Sequence, residues 1–277
     1  MNSRWKIYTW IVDTILSRQN IMLPFVVQSL VAGVLASFAC GLGALPLAIK
    51  AFDLRKHTGL AYSAAGGLMF AASVYNLILP GLTIHSAAIQ LADAMPVVLG
   101  ILLGALFLSQ VDKYFSPERF EQGNWKRWGN KAQILIFIAM AVHSIPEGVA
   151  VGVGYASSAV YENHLGDYIA LAIALHNIPE GLAVAIPMRA AGASIWKCFW
   201  AAFFTSLPQP IAAVPAAYVS WLFQPLMPIL MGFAAGAMIF LVILELIPEA
   251  LHNSTPIKVA WAFSIGFCAM ILVQVLL

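Results

Sequence analysis

A short motif that occurs twice places potential metal ligands four residues apart. The pattern H-x-I-P-E-G begins at His143 and again at His176. Because residues four apart share one face of a helix, His143 is expected beside Glu147, and His176 beside Glu180. The glycine after each glutamate allows a neighbouring helix to approach closely. The motifs therefore predict two helices that each present an imidazole and a carboxylate on one face.

Two such faces in contact would form a ligand set that suits a borderline divalent ion such as Zn²⁺. Two neutral imidazoles, two carboxylates and one dication sum to zero charge, which a low-dielectric interior tolerates. Pro146 and Pro179 also leave the carbonyls of Val142 and Leu175 without their usual helical donor. The competing interpretation is that the histidines and glutamates only hydrogen-bond one helix to the next. A second copy of the motif favours the metal site, because packing alone needs no repeat.

The helices that carry these motifs are expected to lie in a membrane. Of the 277 residues, 61% are hydrophobic and 9% are charged, against about 45–50% and about 25% in an ordinary soluble domain. So little polar surface excludes a soluble enzyme, a nucleic-acid binder and a disordered chain. The three cysteines have no CxxC spacing and predict neither a disulfide framework nor a thiolate cluster.

The sequence predicts an all-α integral membrane protein with a bundle of eight transmembrane helices. The apolar stretches of sufficient length are 25–49, 59–79, 91–111, 132–155, 167–188, 197–219, 225–249 and 257–277. They are predicted to form a single eight-helix transmembrane domain at 25–277. Residues 1–24 are predicted to be an N-terminal interfacial segment, because their apolar run is short and Asp13 interrupts it. The polar stretch 112–131 is expected to be a cytoplasmic loop.

The distribution of Lys and Arg predicts the orientation. Eleven of the fourteen Lys and Arg residues lie in the connections that join an odd-numbered span to the next even-numbered one. The other three connections contain none, and the remaining three residues precede the first span. Because cytoplasmic connections are enriched in Lys and Arg, both termini are predicted to lie outside a cytoplasmic (inner) membrane.

A weak internal similarity relates the second and seventh spans. Both contain Ala-Ala-Gly, at 64–66 and 234–236, and both reach an aliphatic residue followed by proline, at 79–80 and 247–248. The predicted topology makes these two spans cross in opposite directions. This indicates inverted three-helix repeats, spans 1–3 against spans 6–8, which are typical of secondary transporters.

The sequence resembles the ZIP (Zrt-/Irt-like) divalent-metal transporters, in their bacterial type. The resemblance covers all eight spans and is most specific at HSIPEG (143–148) and HNIPEG (176–181). LELIPE (244–249) and AAGGLMFAAS (64–73) support it. It implies an eight-helix bundle in which the inverted repeats flank helices 4 and 5. It also implies a metal pathway through those two helices.

The resemblance further implies site residues. The His and Glu of the two motifs match the first metal site, and Met69 matches a methionine sometimes found beside it. At the second site of bacterial relatives, the corresponding positions here are Ser144, Asn177 and Gln209. These are neutral donors where relatives use more carboxylates, so one tight site and a depleted second site are expected. Glu245 is a candidate ligand in a vestibule, with helix packing as its alternative role.

The expected function is uptake of a divalent transition metal across the cytoplasmic membrane. The His/Glu donor set favours zinc, and other divalent transition metals are left open. The ion is a transported substrate, and no enzymatic activity is expected. The expected partners are the divalent ion and the lipid bilayer, without nucleic acid, and a homodimer is left open. The alternatives are an intramembrane metal-dependent hydrolase, although HExxH and GxSxG are absent from the sequence, and a metal-independent transporter of protons or organic ions.

The orientation can be tested by cysteine labelling in a variant whose three native cysteines are replaced. We expect Gln122→Cys to react only with membrane-permeant reagents in intact cells, because its loop carries cytoplasmic-type positive charge. Asn163→Cys is expected to react with impermeant reagents. The reverse labelling pattern would contradict the orientation.

Overall fold

The computed structural model describes residues 24–49, 54–84, 89–115 and 131–276. Within these ranges the chain is helical except for short turns and connections, and no strand occurs. The interfacial segment predicted at 1–24 lies almost entirely outside the described residues. So does most of the loop predicted at 112–131, although its first residues continue the third helix to Phe115.

Eight helical segments in the described residues correspond to the eight predicted spans. They are α1 (24–42), α2 (Leu54–Ala72, Ser73–Ile78 and Leu79–Thr83), α3 (Leu91–Phe115), α4 (Lys131–Tyr161), α5 (Leu165–Ala190), α6 (Ile195–Thr205 and Pro208–Leu222), α7 (Met227–Leu241, Val242–Leu246 and Ile247–Asn253) and α8 (Pro256–Leu276). Short 3₁₀ turns follow α1 at Leu45–Ala48 and precede α7 at Gln224–Leu226.

Six of these segments, α1, α2, α3, α5, α7 and α8, are long and apolar enough to cross a membrane. The two others are α4 and α6. α4 has 31 residues. The halves of α6 have 11 and 15 residues, each shorter than a membrane crossing requires. Large apolar side chains on α3 and α8, such as Leu102 and Ile265, face outward, as expected for a multi-pass membrane protein.

The packing follows the predicted inverted repeat. α2 packs against α8, α3 packs against α7, and the second half of α6 packs along α4. α1 lies along α5, where the Asn177 side chain donates a hydrogen bond to the Ala36 carbonyl. If α1, α2 and α3 are exchanged with α6, α7 and α8, and α4 with α5, the α2–α8 pair becomes the α7–α3 pair. The α4–α6 pair likewise becomes the α5–α1 pair. The prediction of three-helix repeats around helices 4 and 5 is therefore confirmed.

The glycine that ends each motif lets a second helix approach the motif glutamate. A side chain at Gly148 of α4 would collide with the Gln209 carbonyl of α6, and one at Gly181 of α5 would collide with the Cys40 carbonyl of α1. Backbones can pack this closely only where no Cβ intervenes. The two glycines thus occupy equivalent places in the α4–α6 and α5–α1 pairs.

The sixth span is not the continuous helix that the apolar run 197–219 suggests. Its first half ends at Thr205, and its second half begins at Pro208. Pro208 and Pro210 have no N–H, so they cannot donate to the carbonyls one turn back, and the helical hydrogen bonds stop there. At this break a hydroxyl from another helix acts as donor: the Ser144 hydroxyl of α4 donates a 3.2 Å hydrogen bond to the Thr205 carbonyl.

Two further irregularities are π-helical segments at equivalent places in the two repeats. Ser73–Ile78 widens α2, and Val242–Leu246 widens α7. In each case a proline is the second residue of the next helical segment, and it cannot donate to the carbonyl four residues back. π-helical turns are frequent at functional sites. These two place Asn76 and Glu245 on widened turns.

Candidate metal centre

The α4–α5 hairpin brings the two motifs together inside the bundle. The helices are antiparallel and joined by a short turn, beside which the Tyr155 hydroxyl donates a 3.0 Å hydrogen bond to Asp167. Glu147 lies on α4, and His176 and Glu180 lie one turn apart on α5. The motif faces therefore meet, as the sequence predicts.

Three of the four motif side chains form one compact group. Glu147, His176 and Glu180 each offer a ligand atom, and these atoms all lie within 4.8 Å of one another. His176 Nε2 is 3.3 Å from Glu147 Oε1. Glu147 is 1% exposed and His176 is fully buried, and Glu180 Oε2 is buried without a hydrogen-bond partner. Two carboxylates and an imidazole at this spacing are suitable ligands for a divalent transition metal.

His143 lies outside this group and pairs with α7 instead. Its Nε2 is 3.4 Å from Oε1 of Glu245, which sits in the π-helical segment of α7. The His143 side chain is 3% exposed and that of Glu245 is 38% exposed. The structure thus joins two predicted site residues that the sequence did not pair. Because His143 is one helical turn from Glu147, the pair adjoins the three-residue group.

Gln209 and Asn177 form a hydrogen-bonded chain that ends on Glu147. The Gln209 amide nitrogen donates to Glu147 Oε2, and its oxygen accepts from Asn177 Nδ2 at 3.1 Å. Asn177 Nδ2 also donates to the Ala36 carbonyl at 3.0 Å. The chain ties α1, α5 and α6 to the glutamate of α4. In this arrangement the Gln209 amide nitrogen donates a hydrogen bond to Glu147, and the Gln209 amide oxygen already accepts one from Asn177.

The two remaining predicted residues, Ser144 and Met69, are both buried. The Ser144 hydroxyl bonds the carbonyls of Met140 and Thr205, so it joins α4 to the break in α6. Met69 is 3% exposed. It lies three residues before Ala72, which belongs to a buried cluster with Ala172 of α5. Because α2 and α5 cross in opposite directions, Met69 falls at about the level of His176.

Sequence reasoning missed the contribution of α1. Its Ala36 carbonyl accepts from Asn177, and its Ser37 hydroxyl donates to the Ser206 carbonyl at 2.8 Å, where α6 breaks. The sequence offers no motif for this role, because any residue has a backbone carbonyl and buried serines are common in membrane helices. Only the packing of α1 against α5 and α6 reveals it.

Comparison with known proteins agrees with the geometry. Residues 127–274, more than half of the chain, match the family described as ZIP Zinc transporter. The chain is 34% identical to zinc transporter GufA of Myxococcus xanthus over 228 residues, which are 80% of this chain and 87% of GufA. It is 34% identical to zinc transporter ZIPB of Bordetella bronchiseptica over 247 residues, 87% of this chain and 78% of ZIPB.

A shorter match involves a longer protein. Human zinc transporter ZIP11 is 41% identical over 146 residues, which are 51% of this chain and 42% of ZIP11. The chain therefore spans less than half the length of that relative. These proteins are named as transporters, and the family is one of transporters rather than enzymes.

The geometry predicts unequal contributions of the four motif residues to zinc affinity. We expect Glu147→Ala or Glu180→Ala to weaken binding by more than about a hundredfold, because the remaining carboxylate cannot neutralise a buried dication. His176→Ala should weaken it by roughly ten- to a hundredfold, and His143→Ala by less, because His143 faces Glu245. Calorimetry on the purified protein measures the dissociation constants.

Thermal unfolding of each variant and the matched substitution His164→Ala serve as controls. His164 lies in the exposed turn after α4, so its loss should leave zinc affinity unchanged. Equal losses of affinity for His143→Ala and His176→Ala would contradict the three-residue centre.

Proposed function

Because this chain belongs to the ZIP zinc transporter family, we propose that it carries a divalent transition metal, in the first place Zn²⁺, across the cytoplasmic membrane into the cell. The observation that carries the proposal is the compact group of Glu147, His176 and Glu180, of which the first two are buried, on two helices of a membrane bundle. Other divalent transition metals share a preference for these donors.

Charge balance supports a transport site at this place. With His176 neutral, the two ionised carboxylates carry a charge of two minus, and one dication neutralises them. A neutral cluster is far less costly in a low-dielectric interior than separated charges. The same balance makes release feasible, because a transported ion must bind strongly enough to lose water and weakly enough to leave.

The pair of His143 and Glu245 provides the next ligands for an ion that leaves the three-residue group. It lies one helical turn along α4 from Glu147, and Glu245 is 38% exposed. With both termini outside, α4 begins in the cytoplasm, so His143 lies on the cytoplasmic side of Glu147. We propose that the ion passes from the three-residue group to His143 and Glu245 before it enters the cytoplasm.

A single tight site is the second part of the proposal. The Gln209 amide already donates a hydrogen bond to Glu147, so a neutral donor occupies a carboxylate oxygen that a second cation would need. Ser144 and Asn177 are also neutral. Two dications a few ångströms apart repel by several kcal/mol even at an effective dielectric of about 20, and this chain adds no carboxylate there to offset the repulsion.

The single-site proposal predicts one tightly bound zinc ion per chain. Gln209→Glu is expected to raise the stoichiometry towards two, because it replaces an N–H donor by a carboxylate beside Glu147. It should also slow release through that shared glutamate. Elemental analysis after stringent washing measures the metal content. Gln224→Glu, the same change at an exposed position, is the matched control. Two ions per parent chain, or an unchanged Gln209→Glu protein, would refute the proposal.

Transport itself is tested by uptake of radioactive zinc into proteoliposomes that contain the purified full chain. We expect uptake above protein-free liposomes, competition by other divalent transition metals, and a loss of more than about 90% in Glu147→Gln and Glu180→Gln, because neither retains a neutralising pair of carboxylates. Glu162→Gln, at an exposed position, should transport like the parent. A parent without zinc uptake, or active Glu147→Gln and Glu180→Gln variants, would overturn the proposed function.

A further inference from the structure

Asn76 is a buried polar side chain that the proposed centre does not use. It is 1% exposed, and both its amide nitrogen and its amide oxygen lie buried without a hydrogen-bond partner. Most buried polar groups in proteins are hydrogen-bonded, because an unpaired amide loses its contacts with water and gains nothing in return. An exception of this kind in an apolar helix indicates a role other than stability.

The backbone around Asn76 is irregular as well. Asn76 lies in the π-helical segment Ser73–Ile78, where the N–H of Leu79 bonds to the carbonyl of Val74. Pro80 has no N–H to donate to the backbone carbonyl of Asn76. The residue therefore combines an unpartnered side-chain oxygen with a carbonyl that lacks its usual donor. These are two neutral oxygen atoms on one residue.

The inverted repeat relates Asn76 to Glu245. Each is the fourth residue of the π-helical segment of its repeat, in α2 and in α7. Glu245 pairs with His143 of α4. Exchanging the repeats converts α7 into α2 and α4 into α5, so Asn76 corresponds in position to Glu245, on the α5 side of the bundle. The π-helical segment of α2 does pack against α5.

The level of Asn76 in the bundle follows from the contact between α2 and α5. One buried cluster contains Ala71 and Ala72 of α2 and Ala172 of α5, so these residues lie at about the same level. Asn76 lies four residues beyond this contact on α2, and His176 lies four residues beyond it on α5. Because the helices cross in opposite directions, the two residues are displaced to opposite sides, by roughly 12 Å in total at 1.5 Å per residue. With both termini outside, Asn76 is on the outer side of the centre.

We propose that Asn76 is an outer metal ligand, which holds an incoming, partly hydrated divalent cation before it reaches Glu147, His176 and Glu180. This inference rests on the proposed transport function. A neutral amide binds a dication weakly, which suits a site that must pass the ion on. Asn76 is enclosed whereas the Glu245 side chain is 38% exposed, so in this structure the proposed outer ligand is covered by protein more completely than the inner pair. The opposite helix arrangement would expose Asn76.

The experiment combines zinc uptake into proteoliposomes with zinc affinity of the purified full chain in detergent. Asn76→Leu removes both amide atoms at nearly constant volume. We expect it to lower kcat/KM for uptake by roughly tenfold while the dissociation constant of the central site stays at the parental value and the Tm does not fall. Asn76→Asp retains an oxygen ligand, and it should take up zinc at low concentration at least as fast as the parent.

Ser73→Ala is the matched control from the same π-helical segment. The Ser73 hydroxyl bonds the Met69 carbonyl within its own helix, so its loss should leave uptake near the parental rate. Parental uptake by Asn76→Leu would overturn the inference, and so would an equal loss of uptake and central-site affinity. A parent that takes up no zinc would overturn the transport function and this inference together. A transporting parent with an unaffected Asn76→Leu would overturn the inference alone.

Discussion

Two carboxylates enclosed in a bundle of membrane helices set the main physical constraint on this protein. Glu147 lies within reach of both Glu180 and His176, and it is almost fully buried. Like charges at such a distance repel strongly where the dielectric constant is low. Something positive or a hydrogen-bond donor must therefore accompany them. In our proposal a divalent cation supplies this charge during transport, and the Gln209 amide supplies a permanent donor on one side of Glu147.

The rest of the bundle follows from the need to hold these groups without water. The glycines after the motif glutamates let α6 and α1 approach α4 and α5. The prolines in α6 interrupt its helical hydrogen bonds just before Gln209, and hydroxyl groups of α1 and α4 donate to carbonyls at the break. Such breaks are tolerated within a membrane because neighbouring helices replace the missing hydrogen bonds. Each irregularity in the helices therefore lies next to a polar group of the centre or of its proposed path.

The two repeats share one architecture, but their polar residues differ. Both contain a π-helical segment before a proline, with Glu245 in one and Asn76 in the other. An anionic ligand on the proposed inner side and a neutral one on the proposed outer side bind a cation with different strength. In our proposal this difference makes the two ends of the path unequal for a cation, although the fold is symmetric.

The sequence by itself determined the eight-helix membrane architecture and the motif residues, because apolar length and a four-residue spacing are local properties of the chain. It also indicated the inverted repeat, which the packing confirms. Only the tertiary structure decided that His143 faces Glu245, that Gln209 donates to Glu147, and that Asn76 has no partner. These features depend on how helices distant in sequence rotate and approach one another, and spacing along one helix carries no information about that geometry.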